Sequence, residues 1–189
     1  LTLSKGLILI VLLLCCWGGA PVLCCRAAED SKAVASEYPV KAAYVYNFIK
    51  FTEWPASVLD ASDGRLIIAV LGNDEQVAAL EELNGKTAQG KVIQVKRINS
   101  EDHLSTSHVL FVCGDEENRL AKILNQCQHK PILTISSLPG FAEAGGGIGF
   151  YIADNKVRFM INPDSTKRAG LTISSRLLSL ARIVTSAGP

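Results

Sequence analysis

The chain has 189 residues, 48% of them hydrophobic, and its 19 Lys plus Arg against 18 Asp plus Glu leave a net charge of +1. That near-neutrality argues against a nucleic-acid binder, which needs a basic stripe, and the hydrophobic content with mixed periodicity excludes collagen, coiled coil and disorder. Residues 1–27 differ from the rest: they hold Lys5 and Arg26, no acid, and four of the six cysteines. The remainder is one domain's worth of chain, enough to hold a core without a disulfide or metal.

Lys5 precedes an uninterrupted apolar run from Leu7 to Trp17, then Gly18, Gly19, Ala20 and Pro21. This pattern reads as a secretory signal peptide over residues 1–27, cleaved after Ala27. The run is too short to cross ~30 Å of hydrocarbon as a helix. Leu23 and Cys24 stand where a lipoprotein signal needs a small residue. Export would place the domain in the periplasm, where paired cysteines are expected. After cleavage Cys113 and Cys127 remain. A helix between them would hold them ~18 Å apart, against the ~7 Å that a disulfide allows. The expectation is two mostly buried thiols with no disulfide between them.

Residues 28–36 are polar and read as a linker, with the domain proper at 37–185. Val40, Tyr44, Phe48 and Phe51 recur at helical spacing, and Pro55 ends that first helix. Residues 56–64 read as a loop. Arg65 to Leu71 is a continuous apolar run of the kind found in strands buried on both faces. Gly72-Asn73 breaks it, and Val77, Leu80 and Leu83 mark a helix. Lys91 to Ile98 alternates as a strand, residues 100–107 connect, and His108 to Cys113 is a buried strand. Leu120, Ile123, Leu124 and Cys127 line a further helix, and Pro131 to Ser136 is a fourth strand. This order predicts an α/β three-layer sandwich with a mostly parallel central sheet and helices on both faces. Near the end, Ile148, Phe150 and Ile152 alternate with smaller residues, as do Val157, Phe159 and Ile161 with polar ones. Asp154-Asn155 between them predicts a C-terminal β-hairpin. Pro163 to Ala169 reads as a short helix stopped by Gly170. Ser174 reads as the cap of a last helix with Ile173, Leu177, Leu180 and Val184 on its apolar face.

Motifs for chemistry are sparse. His103, His108 and His129 have no paired-ligand spacing, so no metal and no cofactor is expected. No nucleophile elbow or Cys-His pattern is recognisable. Gly145 to Gly149 precedes a strand, whereas a phosphate cradle follows one, so a turn permitting close backbone approach is the better reading. The sequence therefore points away from an enzyme.

The run Tyr46-Asn47-Phe48-Ile49-Lys50-Phe51-Thr52-Glu53-Trp54-Pro55 concentrates aromatics and opposite charges at one helix end. It resembles the Y-N-F-x-x-F-x-E-W-P motif of the YfiR-like family. The likeness continues through Ile67 to Gly72, His108 to Val112, Ile132 to Ser136, Gly140 to Gly146, Val157 to Asn162 and Ser174 to Val184. The resemblance implies a periplasmic, non-enzymatic repressor. Such a protein binds the periplasmic part of an inner-membrane diguanylate cyclase of the YfiN type and lowers cyclic-di-GMP synthesis. An outer-membrane lipoprotein of the YfiB type sequesters it and favours biofilm. Relatives beside sensor kinases extend the partner class to those, and dimers are implied. The family's structural disulfides do not carry over: Ser107 stands where one cysteine would, and the hairpin region has none.

A docking protein needs aromatic or Arg anchors. The candidates are Tyr46, Asn47, Phe51, Glu53 and Trp54 around the end of the first helix, with Arg158 on the hairpin and Arg176 on the last helix. Either arginine can grip a carboxylate through its planar fork. Against this stand core packing for the aromatics, a loop-tethering role for Asn47 and solvated charges for the arginines. The alternative function is a small-molecule module for an amino acid or vitamin-like ligand. Its site would be the crevice at the carboxyl ends of the parallel strands, near Gly72 and Cys113.

Overall fold

The structure is a computed structural model and describes residues 23–186. In chain order the elements are α1 (Leu23–Lys50), β1 (Thr52–Glu53), α2 (Ala56–Asp60), β2 (Arg65–Leu71), α3 (Gln76–Glu81), β3 (Thr87–Ala88) and β4 (Lys91–Ile98). A 3-10 helix at Glu101–Thr106 precedes β5 (Val109–Val112), and another at Gly114–Arg119 leads into α4 (Leu120–Cys127). Then come β6 (Leu133–Ser136), β7 (Ile148–Ala153), β8 (Lys156–Ile161), α5 (Pro163–Arg168), β9 (Thr172–Ile173), α6 (Ser175–Leu178) and β10 (Arg182–Ile183).

The main sheet has the order β10-β8-β7-β6-β5-β2-β4-β3. Strands β4, β2, β5, β6 and β7 are parallel neighbours. β8 returns antiparallel to β7, β10 runs parallel to β8, and β3 is antiparallel to β4. β1 and β9 form a separate antiparallel ribbon, Thr52 opposite Ile173. The predicted α/β sandwich with a mostly parallel sheet is therefore the observed fold.

Alternation along the buried strands assigns residues to two faces. Leu66, Ile68 and Val70 of β2, with Val109 and Phe111 of β5, pack with Val45, Phe48 and Ile49 of α1 and with Val77 and Leu80 of α3. Ala69, Leu71, Leu110 and Val112 face the other way, toward Leu104, Ile123 and Leu124. Both faces of the central strands are covered, which is why they read as unbroken apolar runs. Phe48 anchors the first layer: its ring lies 5.6 Å from Phe150 and 4.9 Å from Phe159, centroid to centroid.

Several elements match the pattern in detail. Asp154 and Asn155 have φ of 51° and 55°, so both turn residues are left-handed as a two-residue hairpin requires. Asn162 caps α5 by accepting from the Ser165 N–H, and Gly170 follows at φ 73°. Cys113 and Cys127 are both buried, and no disulfide joins them.

Two expectations concern the N-terminal segment, and others are corrected. The signal-peptide reading lies, up to residue 22, outside the described residues. Residues 28–36, expected as a linker, have helical backbone within α1. The chain divides into two compact units between Ala35 and Ser36. Pro39 lacks the N–H that would bond the Ala35 carbonyl, so the helical ladder is broken at that residue. The buried stripe of α1 is Ala42, Val45, Phe48 and Ile49, with Val40 45% exposed. Aromatic spacing had fixed the wrong phase for the upper turns. Residues 56–64 contain the short α2 rather than loop alone. The last helix is four residues long. Ile173 pairs with β1, Leu180 is 72% exposed, and the chain then forms β10 beside β8. A short helix plus an edge strand mimicked one amphipathic helix, since Ile173, Leu177, Leu180 and Val184 suit that period by coincidence.

Candidate functional site

The motif running from Tyr46 to Pro55 is chiefly architectural. The Tyr46 hydroxyl donates to the Thr87 carbonyl at 2.9 Å, tying α1 to β3. The Trp54 indole is 6% exposed and donates through Nε1 to the His108 carbonyl at 3.2 Å. Trp54 is thus a buried brace between β1 and the start of β5, and as a docking anchor it is withdrawn. Asn47 is exposed, and no hydrogen bond of its side chain ties a loop among the described residues. The tether is Gln89 instead, whose side-chain amide donates to the Ile49 and Thr52 carbonyls.

The β1–β9 ribbon brings three candidates together. The Ser174 N–H donates to the Phe51 carbonyl at 2.9 Å, so α6 starts directly beside the end of α1. The Arg176 guanidinium then sits 6.0 Å above the half-buried Phe51 ring, a cation–π geometry. Glu53 is exposed on β1, opposite Thr172. Phe51 and Arg176 are thus in contact, and Glu53 stands two residues further along the same chain segment, on β1. Arg158 is exposed on β8 across from Tyr151 and outside this group. Among the described residues no carboxylate pairs with Arg158 or Arg176, so both forks are open to a partner.

The carboxyl-end crevice lies where the chain, having left β2 for β4, returns to β2's other side as β5, the position at which open α/β sheets bind ligands. Here it is filled by the protein's own acids. Asp115 accepts from the Asn73 N–H at 3.0 Å. Asp74 accepts from the Gln76 N–H at 2.9 Å, the Gln76 amide at 3.0 Å and the Gly114 N–H at 3.2 Å. The Ser137 hydroxyl donates to the Gln76 side-chain oxygen at 2.8 Å. Three backbone donors of the kind that cradle a phosphate, on Asn73, Gln76 and Gly114, are spent on carboxylates, so in the crevice near Gly72 and Cys113 these groups are closed to a bound anion. Burial, with the Asp74 and Asp115 charges and against a backbone hydrogen bond from Asp74, pushes the Cys113 thiol up to about 12. It is no nucleophile at neutral pH.

The glycine tract is a packing device. A Cβ on Gly146 would lie 2.2 Å from the buried Phe141 ring, so the backbone there approaches as only glycine allows.

At the opposite end of the sheet His108 is 4% exposed. Its Nδ1 accepts from the Ile67 N–H at 3.1 Å, and its Nε2 is buried without a hydrogen-bond partner. Burial chiefly, and then the Lys91 charge, lowers its pKa against an opposing pull from the Val58 carbonyl. Residues 57–58, 61–63, 67, 105–108 and 130–132 line a cavity of about 640 Å³ there. Sequence reading assigned His108 no role and missed Asp74, Asp115 and Lys130. The usable signal was an acid just past each strand-ending glycine, Gly72 and Gly114. The cavity had no signal, being assembled from distant segments.

A family model described as YfiR/HmsC-like matches residues 38–182. A search of curated proteins gave no match. Among solved structures, the ligand-free, open structure of CD0873, a substrate binding protein with adhesive properties from Clostridium difficile, is similar at a TM-score of 0.47 and 16% identity. The alignment covers 69% of this chain and 58% of that one, so the chain spans a little over half of its length.

Proposed function

The chain belongs to the YfiR/HmsC-like family, and on that premise we propose that it is a periplasmic, non-enzymatic regulator. It represses a membrane signalling protein, a diguanylate cyclase of the YfiN type or a sensor kinase, by direct contact. The observation that carries this reading is the family match, which spans residues 38–182 and so nearly all of the folded unit. Two details favour contact over catalysis. The Cys113 thiol is held protonated, and the His108 Nδ1 is already bound by a backbone N–H. The patch of Phe51, Glu53 and Arg176 supplies the docking chemistry, an aromatic flanked by charges of both signs. Repression then works as a population shift: the regulator holds the partner's inactive state more tightly, and a tenfold preference corresponds to about 1.4 kcal/mol.

The test is deletion of the gene with measurement of cellular cyclic-di-GMP. A rise, reversed by the wild-type gene but not by Arg176→Glu produced at equal level, is the expected outcome. No rise rejects cyclase repression and leaves the kinase. Full reversal by Arg176→Glu removes the patch from the mechanism.

A further inference from the structure

We infer that the cavity at the amino ends of β2, β5 and β6 binds a small apolar monocarboxylate, an aryl or branched aliphatic acid carrying no amine. Its volume of about 640 Å³ lies within the ~300–1,000 Å³ typical of small-ligand sites. Val58 of α2, Ile67 of β2, and Pro131 and Ile132 before β6 give it a chiefly apolar wall. An apolar body is therefore the part of a ligand that it shelters.

The mouth selects the charge. Lys130 lines the cavity, is half-buried, and has neither ion pair nor side-chain hydrogen bond among the described residues. The acid at the rim, Asp63, is turned to solvent with its side chain 91% exposed, 3.9 Å from Arg65. The uncompensated charge at the cavity is positive, and a carboxylate complements it whereas an ammonium is repelled.

The inner wall adds a donor. His108 lines the cavity, and because its Nδ1 accepts from the Ile67 N–H, its proton sits on Nε2, which is buried and, among the described residues, meets the Val58 carbonyl of α2 only outside hydrogen-bond geometry. A buried polar atom without a partner calls for an explanation. An acceptor seated against His108 supplies one. The wall that must give to admit it is α2, five residues long with none of them buried, so its displacement disturbs little of the core. This site lies at the other end of the strands from the closed crevice and does not depend on the regulator reading.

Isothermal titration calorimetry of the full chain with 2-naphthylacetate, against its neutral amide 2-naphthylacetamide, tests the assignment. The acid is expected to bind at 1:1 with a Kd below about 1 mM, the amide at least tenfold more weakly. Lys130→Met is expected to abolish that preference without changing the melting temperature. In parallel, the His108 imidazole resonances shift on adding the acid. Equal binding of acid and amide, no heat with the acid at 10-fold higher concentration, a preference that survives Lys130→Met, or unmoved His108 resonances would each overturn the proposal. None of these outcomes bears on the family's regulatory role.

Discussion

At the carboxyl ends of β2 and β5 the chain turns beside Gly72 and Gly114, and the backbone donors freed by the turns are met at once by Asp115 and Asp74. At the amino ends of β2, β5 and β6 a cavity of about 640 Å³ remains, with the His108 imidazole in its wall, its Nε2 without a hydrogen bond, and at its mouth a lysine with no ion pair among the described residues. The difference shows that topology places a possible site and side chains decide whether it is vacant. The ligand end of an open α/β sheet is defined by exposed N–H groups. Once two short acids satisfy the Asn73, Gln76 and Gly114 N–H groups, a phosphate or a carboxylate has nothing to gain from them. The amino end has no such reputation, yet here it keeps the unfilled volume and the uncompensated charge.

The comparison breaks most readily at Gly72. Its φ is +97°, and a Cβ there would lie 2.3 Å from Asp115 Oδ1 and 2.8 Å from Cys113 Cβ. Backbone strain and overpacking add, so Gly72→Ala is expected to cost about 3 kcal/mol in urea unfolding. A cost within experimental error would show that the crevice is loose rather than closed. Asp74→Ala comes next. It strands the Gln76 and Gly114 N–H groups, and the loss of hydrogen bonds to a charged acceptor sets the cost at about 2 kcal/mol. The same denaturation curves measure it, and a neutral result would mean that water replaces the carboxylate without loss.

Legibility from sequence divides along similar lines. The central strands were readable because burial on both faces leaves an unbroken apolar run, as in Arg65–Leu71. The hairpin was readable because Asp154-Asn155 chooses its own turn. The end of the chain was not. Ser175–Leu178 and Arg182–Ile183 are too short to carry a period of their own, and the pairing of Arg182–Ile183 with β8 is a tertiary event. At the candidate site, the motif at Tyr46–Pro55 was visible but its division of labour was not. Trp54 goes inward and Phe51 stays at the surface because the β1–β9 pairing aligns one with His108 and the other with Arg176. No spacing rule contains that information.

Trp54→Phe sharpens the amino end. The substitution keeps an aromatic in the core beside His108 but removes the Nε1–H that reaches the His108 carbonyl. That carbonyl also accepts from the Leu133 N–H at 2.9 Å, so it is not left bare. The expected loss is about 1 kcal/mol, read from the urea midpoint. A loss several times larger would mean that the indole holds the whole edge of β5 in place.

The finest test uses protons. Burial holds His108 neutral, with its pKa below the usual value and the Lys91 charge pushing the same way against the Val58 carbonyl. The unfolded chain therefore takes up the proton first as acid is added, near the ordinary histidine pKa of about 6.5. Stability is full above that pH, falls as pH drops through it, and stops falling through this group once the pH is below the lowered folded value. His108→Asn keeps an oxygen able to accept from the Ile67 N–H and removes the titration. Its stability is expected to be flatter than wild type between pH 7.5 and about 5, although lower throughout for the packing lost beside Trp54. If wild type and variant lose stability in parallel, the His108 ring takes its proton freely in the folded protein and the amino end is wetter than its burial implies.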